Sequence, residues 1–132
     1  MLVTRETDYA VRCALYLARK QDHLANVGEI AKEMHIPKLF LAKILQRLVR
    51  GGIVESVRGA QGGYRLIKKP ADVTLLDVFT AMQGTAPVNL CAVDKRLCQL
   101  SSKCTVHPVW VDIRKEVEKR LKRETLEALS KK

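Results

Sequence analysis

The sequence of 132 residues lacks the features of an exported or membrane-embedded protein. Its first residues, MLVTRETDYA, carry charge where a signal peptide needs an apolar segment. No apolar run approaches the ~18 residues that a membrane-spanning helix requires. These absences predict a soluble, cytosolic protein without membrane contact.

Signals of catalysis are also missing. The glycine-rich stretch GAQGG at 59–63 lies in a predicted hairpin rather than at the start of a helix, so it does not indicate a phosphate-binding loop. No pair of nucleophile and base stands out elsewhere. The sequence therefore predicts that the protein is not an enzyme.

The four cysteines do not form the short C-x2-C pairs of zinc ribbons and ferredoxins. A chain of this length folds without disulfides, and cytosolic thiols stay reduced, so metal or redox chemistry is expected. Cys91, Cys98 and Cys104 follow the pattern C-x6-C-x5-C, and His107 comes three residues later. Spacing alone leaves an iron–sulfur cluster, structural zinc and a thiol switch open. Cys13 lies on the apolar face of the first predicted helix and is expected in the core.

Basic residues dominate the charge. The formal net charge is +10, and residues 1–70 hold 13 Lys and Arg against 6 Asp and Glu. Most of the excess therefore lies in the N-terminal half, where it points to a polyanionic partner. A generally basic soluble protein remains the alternative on charge alone.

Hydrophobic periodicity predicts three helices in the first fifty residues, at about 6–20, 27–34 and 37–50. Asn26 is the predicted N-cap of the second helix, and the double glycine at 51–52 ends the third. Because the second and third helices are short and joined by a tight turn, they form a candidate helix-turn-helix.

A β-hairpin is predicted directly after the third helix. Residues 53–58 have β-branched character, 59–63 form a glycine-rich loop, and 64–67 alternate again. A hairpin in this position is typical of a winged helix-turn-helix, so the predicted fold is mainly α with a small β-hairpin wing.

The C-terminal half contains two further predicted helices. Thr74 caps the first, which ends at Gly84, and the second runs from about 106 to 123. Between them, 85–105 shows no sustained periodicity and is predicted to be a loop. The last helix carries one apolar stripe, made of Val106, Val109, Trp110, Ile113, Val117 and Leu121. This stripe predicts a dimerisation helix, with packing inside the monomer as the alternative.

The third helix and the wing hold the predicted DNA contacts. Polar and basic side chains lie outside the apolar stripe of the helix, as a recognition helix requires, and the glycines allow the wing to approach DNA closely. The helix candidates are Lys38, Leu39, Phe40, Lys43, Gln46, Arg47 and Arg50. The wing candidates are Arg58, Gly59, Gln61, Gly62 and Tyr64. We expect base contacts from Lys38, Leu39, Phe40 and Lys43, and backbone contacts from Arg47 and Arg50.

The sequence resembles the iron–sulfur-binding bacterial transcription regulators that include IscR and NsrR. The matching segments are LVTRETDYAVR, IAKEMHIPKLFLAKILQRL, SVRGAQGGYRL and KCTVHPVW, together with the spacing of the three cysteines. The likeness covers nearly the whole chain. It implies a homodimeric repressor that binds a double-stranded DNA operator and senses iron–sulfur status, redox state or nitric oxide. The implied parts are a DNA-binding domain (1–84), a cluster-binding loop (85–105), and a dimerisation helix with a tail (106–132).

The resemblance divides at the fourth cluster ligand. The IscR-like pattern implies a 2Fe–2S cluster held by the three cysteines and a histidine at the position of His107. The NsrR-like pattern implies a 4Fe–4S cluster with an aspartate at the position of Asp8, supplied by the other subunit. The sequence CTVHPVW is more similar to the IscR side, so His107 and 2Fe–2S are favoured. Two competing interpretations are a cluster-free thiol regulator of the same fold, as in CymR-like relatives, and a redox enzyme or electron carrier.

Overall fold

The computed structural model describes residues 3–84, 92 and 94–132. Within these residues, six α-helices and a two-stranded antiparallel sheet make up the regular structure, together with short 3₁₀ turns at Pro70–Asp72 and Lys95–Leu97. In chain order they are α1 (Arg5–Arg19), α2 (Val27–Met34), α3 (Lys38–Arg50), β1 (Val54–Val57), β2 (Gly63–Leu66), α4 (Leu75–Gln83), α5 (His107–Arg123) and α6 (Leu126–Ser130).

The predicted N-terminal helices are confirmed, and local side chains explain where they begin. The Asn26 side chain accepts a hydrogen bond from the Glu29 N–H at 2.8 Å, which satisfies a free donor in the first turn of α2. His35 ends this helix in the left-handed region at φ 54° and lets the chain turn into α3. The tight turn predicted between the two helices is therefore built at His35.

The hydrophobic core lies where α1, α2, α3 and α4 meet. The apolar stripe of α3, predicted from its spacing, is almost fully buried, because one face of the helix packs against α1 and α4. Its members are Leu41, Ile44, Leu45 and Leu48. Cys13 is also fully buried, as expected for a core cysteine.

The wing is a short hairpin whose register pairs Val54 with Leu66 and Val57 with Gly63. Ala25 extends this sheet, because its N–H and carbonyl both pair with the backbone of Tyr64, at 3.1 and 2.8 Å. A Cβ atom at Gly63 would lie 2.7 Å from the Ala25 carbonyl oxygen, so only glycine fits there. These contacts fasten the wing to the segment that precedes α2.

The predicted last helix, α5, has no buried residue along its whole described length. Val106 and Val109 are 43% and 50% exposed, and the other members of the stripe are half-buried. The alternative in which the stripe is part of the monomer core is therefore not supported. No helix of the described residues is long and apolar enough to cross a membrane.

Helix α6 is an element that the sequence did not predict. Thr125 caps it, and Leu126 is fully buried. The Leu126 N–H donates to the Val73 carbonyl at 2.8 Å, and the Leu75 N–H donates to the Glu124 carbonyl at 2.9 Å. The C-terminal end of α5 is thus held against the start of α4.

Candidate nucleic-acid interface and cysteine segment

One face of α3 is open to solvent and carries six of the seven DNA contacts predicted on this helix. Opposite the buried stripe, the predicted contact residues that are exposed are Lys38, Leu39, Phe40, Lys43, Gln46 and Arg50. Leu39 and Phe40 are 85% and 51% exposed, although both side chains are apolar. The sequence expectation for this face agrees with its exposure, while DNA contact by each residue stays a prediction.

The N-terminal end of α3 differs from most other helix starts. Its N-cap is Pro37, which provides no capping side chain, and the first turn contains no acidic residue. Lys38 instead places a cation at the positive end of the helix dipole, which is unfavourable for an isolated helix. An anion at this end offsets both effects, because first-turn N–H groups and the dipole attract negative charge.

A groove of about 400 Å³ separates α3 from the wing. It is lined by Gln46, Val49, Arg50, Ser56, Arg58 and Tyr64. Three polar side chains predicted to contact DNA, those of Gln46, Arg50 and Arg58, therefore line the same groove. Arg58, Gly59 and Gln61 are exposed at the wing. Gly59 has φ 123°, a conformation that glycine adopts readily. The groove and the wing tip together continue the exposed face of α3.

Two of the predicted wing contacts have a structural function in this fold. Gly62 and Tyr64 are half-buried rather than exposed. A Cβ atom at Gly62 would lie 2.1 Å from the Val57 carbonyl oxygen, so the tight turn requires glycine. Tyr64 pairs through its backbone with Ala25, and its side chain lies beside the groove.

Arg47 is placed differently from the other basic residues of α3. Its guanidinium donates to Glu6 Oε2 at 2.8 Å and also to the carbonyl oxygen of Met82. The side chain therefore joins α3 to the first turn of α1 and the last turn of α4. The amide oxygen of Gln83, the next residue, accepts a hydrogen bond from the Thr4 N–H at 3.1 Å. Sequence patterns do not reveal these contacts, because each joins residues 35 or more positions apart.

A partly buried network that the sequence pattern does not reveal fixes α2 against α1. The Tyr16 hydroxyl donates to Glu29 Oε2 at 2.5 Å, and His23 Nε2 lies 2.9 Å from the same oxygen. Burial, followed by the Glu29 hydrogen bond, raises the pKa of Tyr16 to about 12. The same hydrogen bond, with help from His23, holds the pKa of Glu29 below its ordinary value. Helical spacing identifies Tyr16 only as an apolar position of α1.

The predicted cluster ligands lie partly within the described residues. Cys98 and Cys104 are half-buried free thiols, and His107 is the first residue of α5. Cys91 lies outside the described residues. Among the residues that are described, no three Cys, His, Asp or Glu side chains come close enough together to hold a metal ion. The arrangement of the four predicted ligands therefore stays a prediction, because Cys91 is not among the described residues.

The chemistry of these side chains nevertheless fits a metal centre. The Nδ1 atom of His107 is buried and has no hydrogen-bond partner among the described residues. A buried ring nitrogen without a partner carries a desolvation cost that a metal bond removes. Together with two free thiols nearby in sequence, it forms a donor set of the kind that iron and zinc select.

Asp8, the alternative fourth ligand, has a partner within the chain. Its carboxylate accepts a hydrogen bond from Arg12 at 3.0 Å, one helical turn further along α1, and its side chain is 52% exposed. Arg12 also lies over the Tyr9 ring, at 5.3 Å from the ring centre, and donates to the Met34 carbonyl at 3.4 Å. Asp8 is thus part of a surface ion pair, as expected for an acidic residue near a helix N-terminus.

Comparison with known proteins finds regulators of transcription. Residues 3–132 match the family model Rrf2, described as "Iron-dependent Transcriptional regulator". The chain is 31% identical to the HTH-type transcriptional regulator IscR of Yersinia pseudotuberculosis over 130 residues, which cover 98% of this chain and 79% of the relative. It is 34% identical to the HTH-type transcriptional regulator NsrR of Bacillus subtilis over 106 residues, covering 79% and 73%.

Solved structures with a similar fold include proteins named CymR and IscR. CymR, the global cysteine regulator of B. subtilis, aligns with TM-score 0.79 and 25% identity, covering 99% of this chain and 97% of that chain. IscR of T. potens aligns with TM-score 0.78 and 25% identity, covering 99% and 88%. The winged-helix fold predicted from the sequence is confirmed. The relatives are named as transcriptional regulators, so the expectation that the chain is not an enzyme is also confirmed.

Proposed function

Because the chain belongs to the Rrf2 family of transcriptional regulators, we propose that it acts in the cytoplasm as a homodimeric repressor with an iron–sulfur cluster as its sensor. The DNA-binding and regulatory part follows from the family. The cluster, the dimer and the signal, which is iron–sulfur status or redox and nitric oxide stress, are the proposal. We also propose that residues 1–84, 85–105 and 106–132 are its DNA-binding, cluster-binding and dimerisation parts.

The observation that carries the DNA-binding mode is the division of α3 into two faces. Four apolar residues of α3 are buried, while Lys38, Lys43 and Gln46 are exposed on the other side. This arrangement allows the helix to lie in a major groove while the wing approaches the neighbouring backbone. In a homodimer, two such helices reach half-sites about one helical turn (~34 Å) apart, so the operator is expected to be pseudo-palindromic.

The incomplete burial of the apolar stripe of α5 supports the dimer. A helix of 17 residues with no buried side chain leaves apolar area in water, since its stripe lies along one face. Packing against the same helix of a second copy removes that area from solvent. Size-exclusion chromatography with light scattering tests this, and a monomeric mass at micromolar concentration contradicts it.

The proposed cluster ligands are Cys91, Cys98, Cys104 and His107, with a 2Fe–2S cluster favoured. Two observations favour His107 as the fourth ligand: its Nδ1 has no hydrogen-bond partner in the part of the chain that the structure describes, whereas Asp8 is paired with Arg12. Asp8 and a 4Fe–4S cluster remain the alternative. When bound, such a cluster supplies reversible electron transfer and a centre that oxidants or nitric oxide attack. A histidine ligand makes the site sensitive to pH near neutrality.

Contacts at the end of α4 offer a route from the cysteine segment to the DNA-binding helix. The cysteine segment begins directly after α4, and Arg47 of α3 holds the Met82 carbonyl in the last turn of that helix. Gln83 contacts Thr4 at the start of α1. A change in the conformation of 85–105 that moves the end of α4 therefore acts on α3 through Arg47. The Arg47→Lys variant keeps the charge but cannot donate to Glu6 and Met82 with the same geometry. It is expected to weaken the coupling between the cysteine segment and α3.

Anaerobic purification tests the cluster. We expect a brown protein with visible absorbance, iron and acid-labile sulfide. Mössbauer or resonance Raman spectra of wild type, His107→Ala and Asp8→Ala then identify the fourth ligand, because only loss of a true ligand changes the spectrum. A protein that stays colourless and free of iron after reconstitution overturns the cluster proposal. If neither substitution changes the spectrum, the fourth ligand lies elsewhere.

A cluster-free regulator of the same fold is the second candidate. It is supported by the likeness to CymR and by the separation of the predicted ligands among the described residues. In this case Cys98 and Cys104 act as thiols, or the protein responds through a partner. Metal analysis separates the two candidates. A salt-dependent shift assay on the protein's own upstream DNA tests the DNA binding that both require, and a redox carrier shows none.

A further inference from the structure

The most exposed large apolar side chain in the described residues lies in the first turn of α3. Leu39 is 85% exposed and the neighbouring Phe40 is 51% exposed. Single exposed apolar residues are common on protein surfaces, so exposure alone has little meaning. Here, however, two adjacent apolar residues lie at the end of the helix that is expected to enter the major groove, and both lie outside the core.

The surroundings of Leu39 and Phe40 favour a polyanionic occupant. Lys38 precedes them, Lys43 follows one turn later, and both are exposed. No acidic residue lies in the first turn, and no side chain caps the helix within the described residues. An apolar protein partner would have to bury these lysines without a counter-charge from this chain, whereas DNA phosphates neutralise them.

The major groove contains one apolar feature, the C5-methyl group of thymine. Leu39 and Phe40 offer no hydrogen-bond donor or acceptor beyond their backbone, so hydrogen-bond readout of a base edge is not available to these side chains. We propose that Leu39, with Phe40 beside it, reads thymine methyl groups, and that each operator half-site carries T·A pairs where the first turn of α3 contacts the groove. This inference rests on the proposed DNA-binding mode and adds the chemistry of base recognition.

The division of labour along α3 follows from this assignment. Lys38 and Lys43 neutralise phosphates or reach guanine, and Gln46 is placed one turn further along to pair with adenine. Leu39 and Phe40, in the first turn of α3, distinguish thymine from cytosine by the C5-methyl group. The sequence preference should therefore be strongest for thymine at the positions nearest to the N-terminus of α3.

The experiment uses full-length, anaerobically prepared protein and a randomised DNA duplex library. Selected duplexes are resynthesised with deoxyuridine in place of each thymine in turn, which removes only the methyl group and keeps the base pair. We expect about four-fold weaker binding for each contacted methyl group. The Leu39→Ala variant should bind the thymine duplex about tenfold more weakly than wild type and should not distinguish thymine from deoxyuridine.

Ile67→Ala is the matched control, because it shortens an apolar side chain that is 49% exposed but lies outside α3. It should keep the wild-type response to deoxyuridine. Thermal unfolding of Leu39→Ala should match wild type, since so exposed a side chain contributes little to the core. If selected DNA binds but no deoxyuridine weakens it, or if Leu39→Ala responds as wild type does, the methyl assignment is wrong while DNA binding stands. If no duplex is enriched, the proposed DNA-binding mode itself fails.

Discussion

The N-terminal part of the molecule, residues 3–84, and the C-terminal part, residues 94–132, use apolar side chains in opposite ways. The first part buries almost all of the core, including the stripe of α3 and the whole of Cys13. In the second part only Ser101 and Leu126 are buried. Both parts contain amphipathic helices, so the difference lies in what covers their apolar faces. The N-terminal part covers its own, whereas the stripe of α5 in the C-terminal part consists of exposed and half-buried residues.

The helices also differ in whether a side chain caps their N-terminus. Four of the helices begin at a residue whose side chain accepts a first-turn N–H, namely Thr4, Asn26, Thr74 and Thr125. The cap positions of α3 and α5 are Pro37 and Val106, which make no such bond within the described residues. These are the two helices with proposed roles in DNA binding and in holding His107. A side-chain hydrogen bond therefore caps the N-terminus of α1, α2, α4 and α6, whereas α3 and α5 have no such cap within the described residues.

The largest expected contrast between the two parts is in cysteine reactivity. Burial raises the pKa of Cys13 to about 12, from an ordinary value of 9.0. In metal-free, reduced protein, iodoacetamide should therefore label the half-buried Cys98 and Cys104 at least about tenfold faster than Cys13, because the thiolate is the nucleophile and burial disfavours the thiolate of Cys13. Mass spectrometry against time measures this. In denaturant all cysteines should react alike, and equal native rates would break the comparison.

Valine truncation in each part gives the next largest contrast. Val78 in α4 is fully buried, and Val109 in α5 is 50% exposed. Val78→Ala should lower the free energy of unfolding by about 2 kcal/mol through lost burial and a small cavity. Val109→Ala should change it by less than ~0.5 kcal/mol but shift the dimer towards monomer. Urea unfolding and light scattering measure both; an equal stability loss for the two variants would place α5 in the core.

A capping side chain introduced at the N-terminus of α3 tests the difference between capped and uncapped helices. Pro37→Asp provides a cap worth about 1 kcal/mol, offset by the flexibility gained when proline is lost from the unfolded chain. Stability should thus stay near wild type, while DNA binding weakens because a carboxylate lies at the phosphate-facing end. Pro37→Ser, a neutral cap, is the control and should bind DNA more tightly than Pro37→Asp. Equal affinities would show that DNA does not approach this end.

The smallest effect concerns pH and the network that joins α1 to α2. The pKa of Glu29 is lowered by the Tyr16 hydrogen bond from an ordinary value of 4.5, so its ionised form stabilises the fold above that pH. This contribution is lost as the pH falls through the lowered pKa. Glu29→Gln keeps an acceptor for Tyr16 but does not ionise there. The melting temperature of wild type should therefore fall more steeply than that of Glu29→Gln below pH 5; parallel curves would contradict the role of Glu29.

Local signals predicted much of the fold. Asn26, Thr74 and the glycines at 51–52 and 84 mark helix ends through bonds to residues within four positions, so these ends can be recognised in the sequence. Helix α6 was missed because its five residues are too few for a periodic pattern. Its position depends on Leu126 meeting Val73, more than fifty residues earlier in the chain.

The candidate site was predictable in composition but less so in geometry. The exposed face of α3 follows from helical spacing, and it agrees with the structure. Arg47 shares that spacing, yet its contacts with Glu6 and Met82 turn it towards the scaffold. No local pattern identifies a partner 41 residues away. The cysteine ligands are named by the resemblance, and Cys91 lies outside the described residues, so their arrangement stays a prediction.

The backbone hydrogen bonds that hold α5 against the start of α4 lie at one end of the helix, and this has a mechanical consequence. Its C-terminal end is fixed to the domain by the backbone bonds of Glu124 and Leu126, while its N-terminal end carries His107 and the cysteine segment. The 17 residues between them form a rigid lever about 25 Å long. A tilt of about 5° at the fixed end moves the far end by roughly 2 Å. If His107 binds the proposed cluster, a change in its position therefore changes the angle between α5 and the N-terminal part.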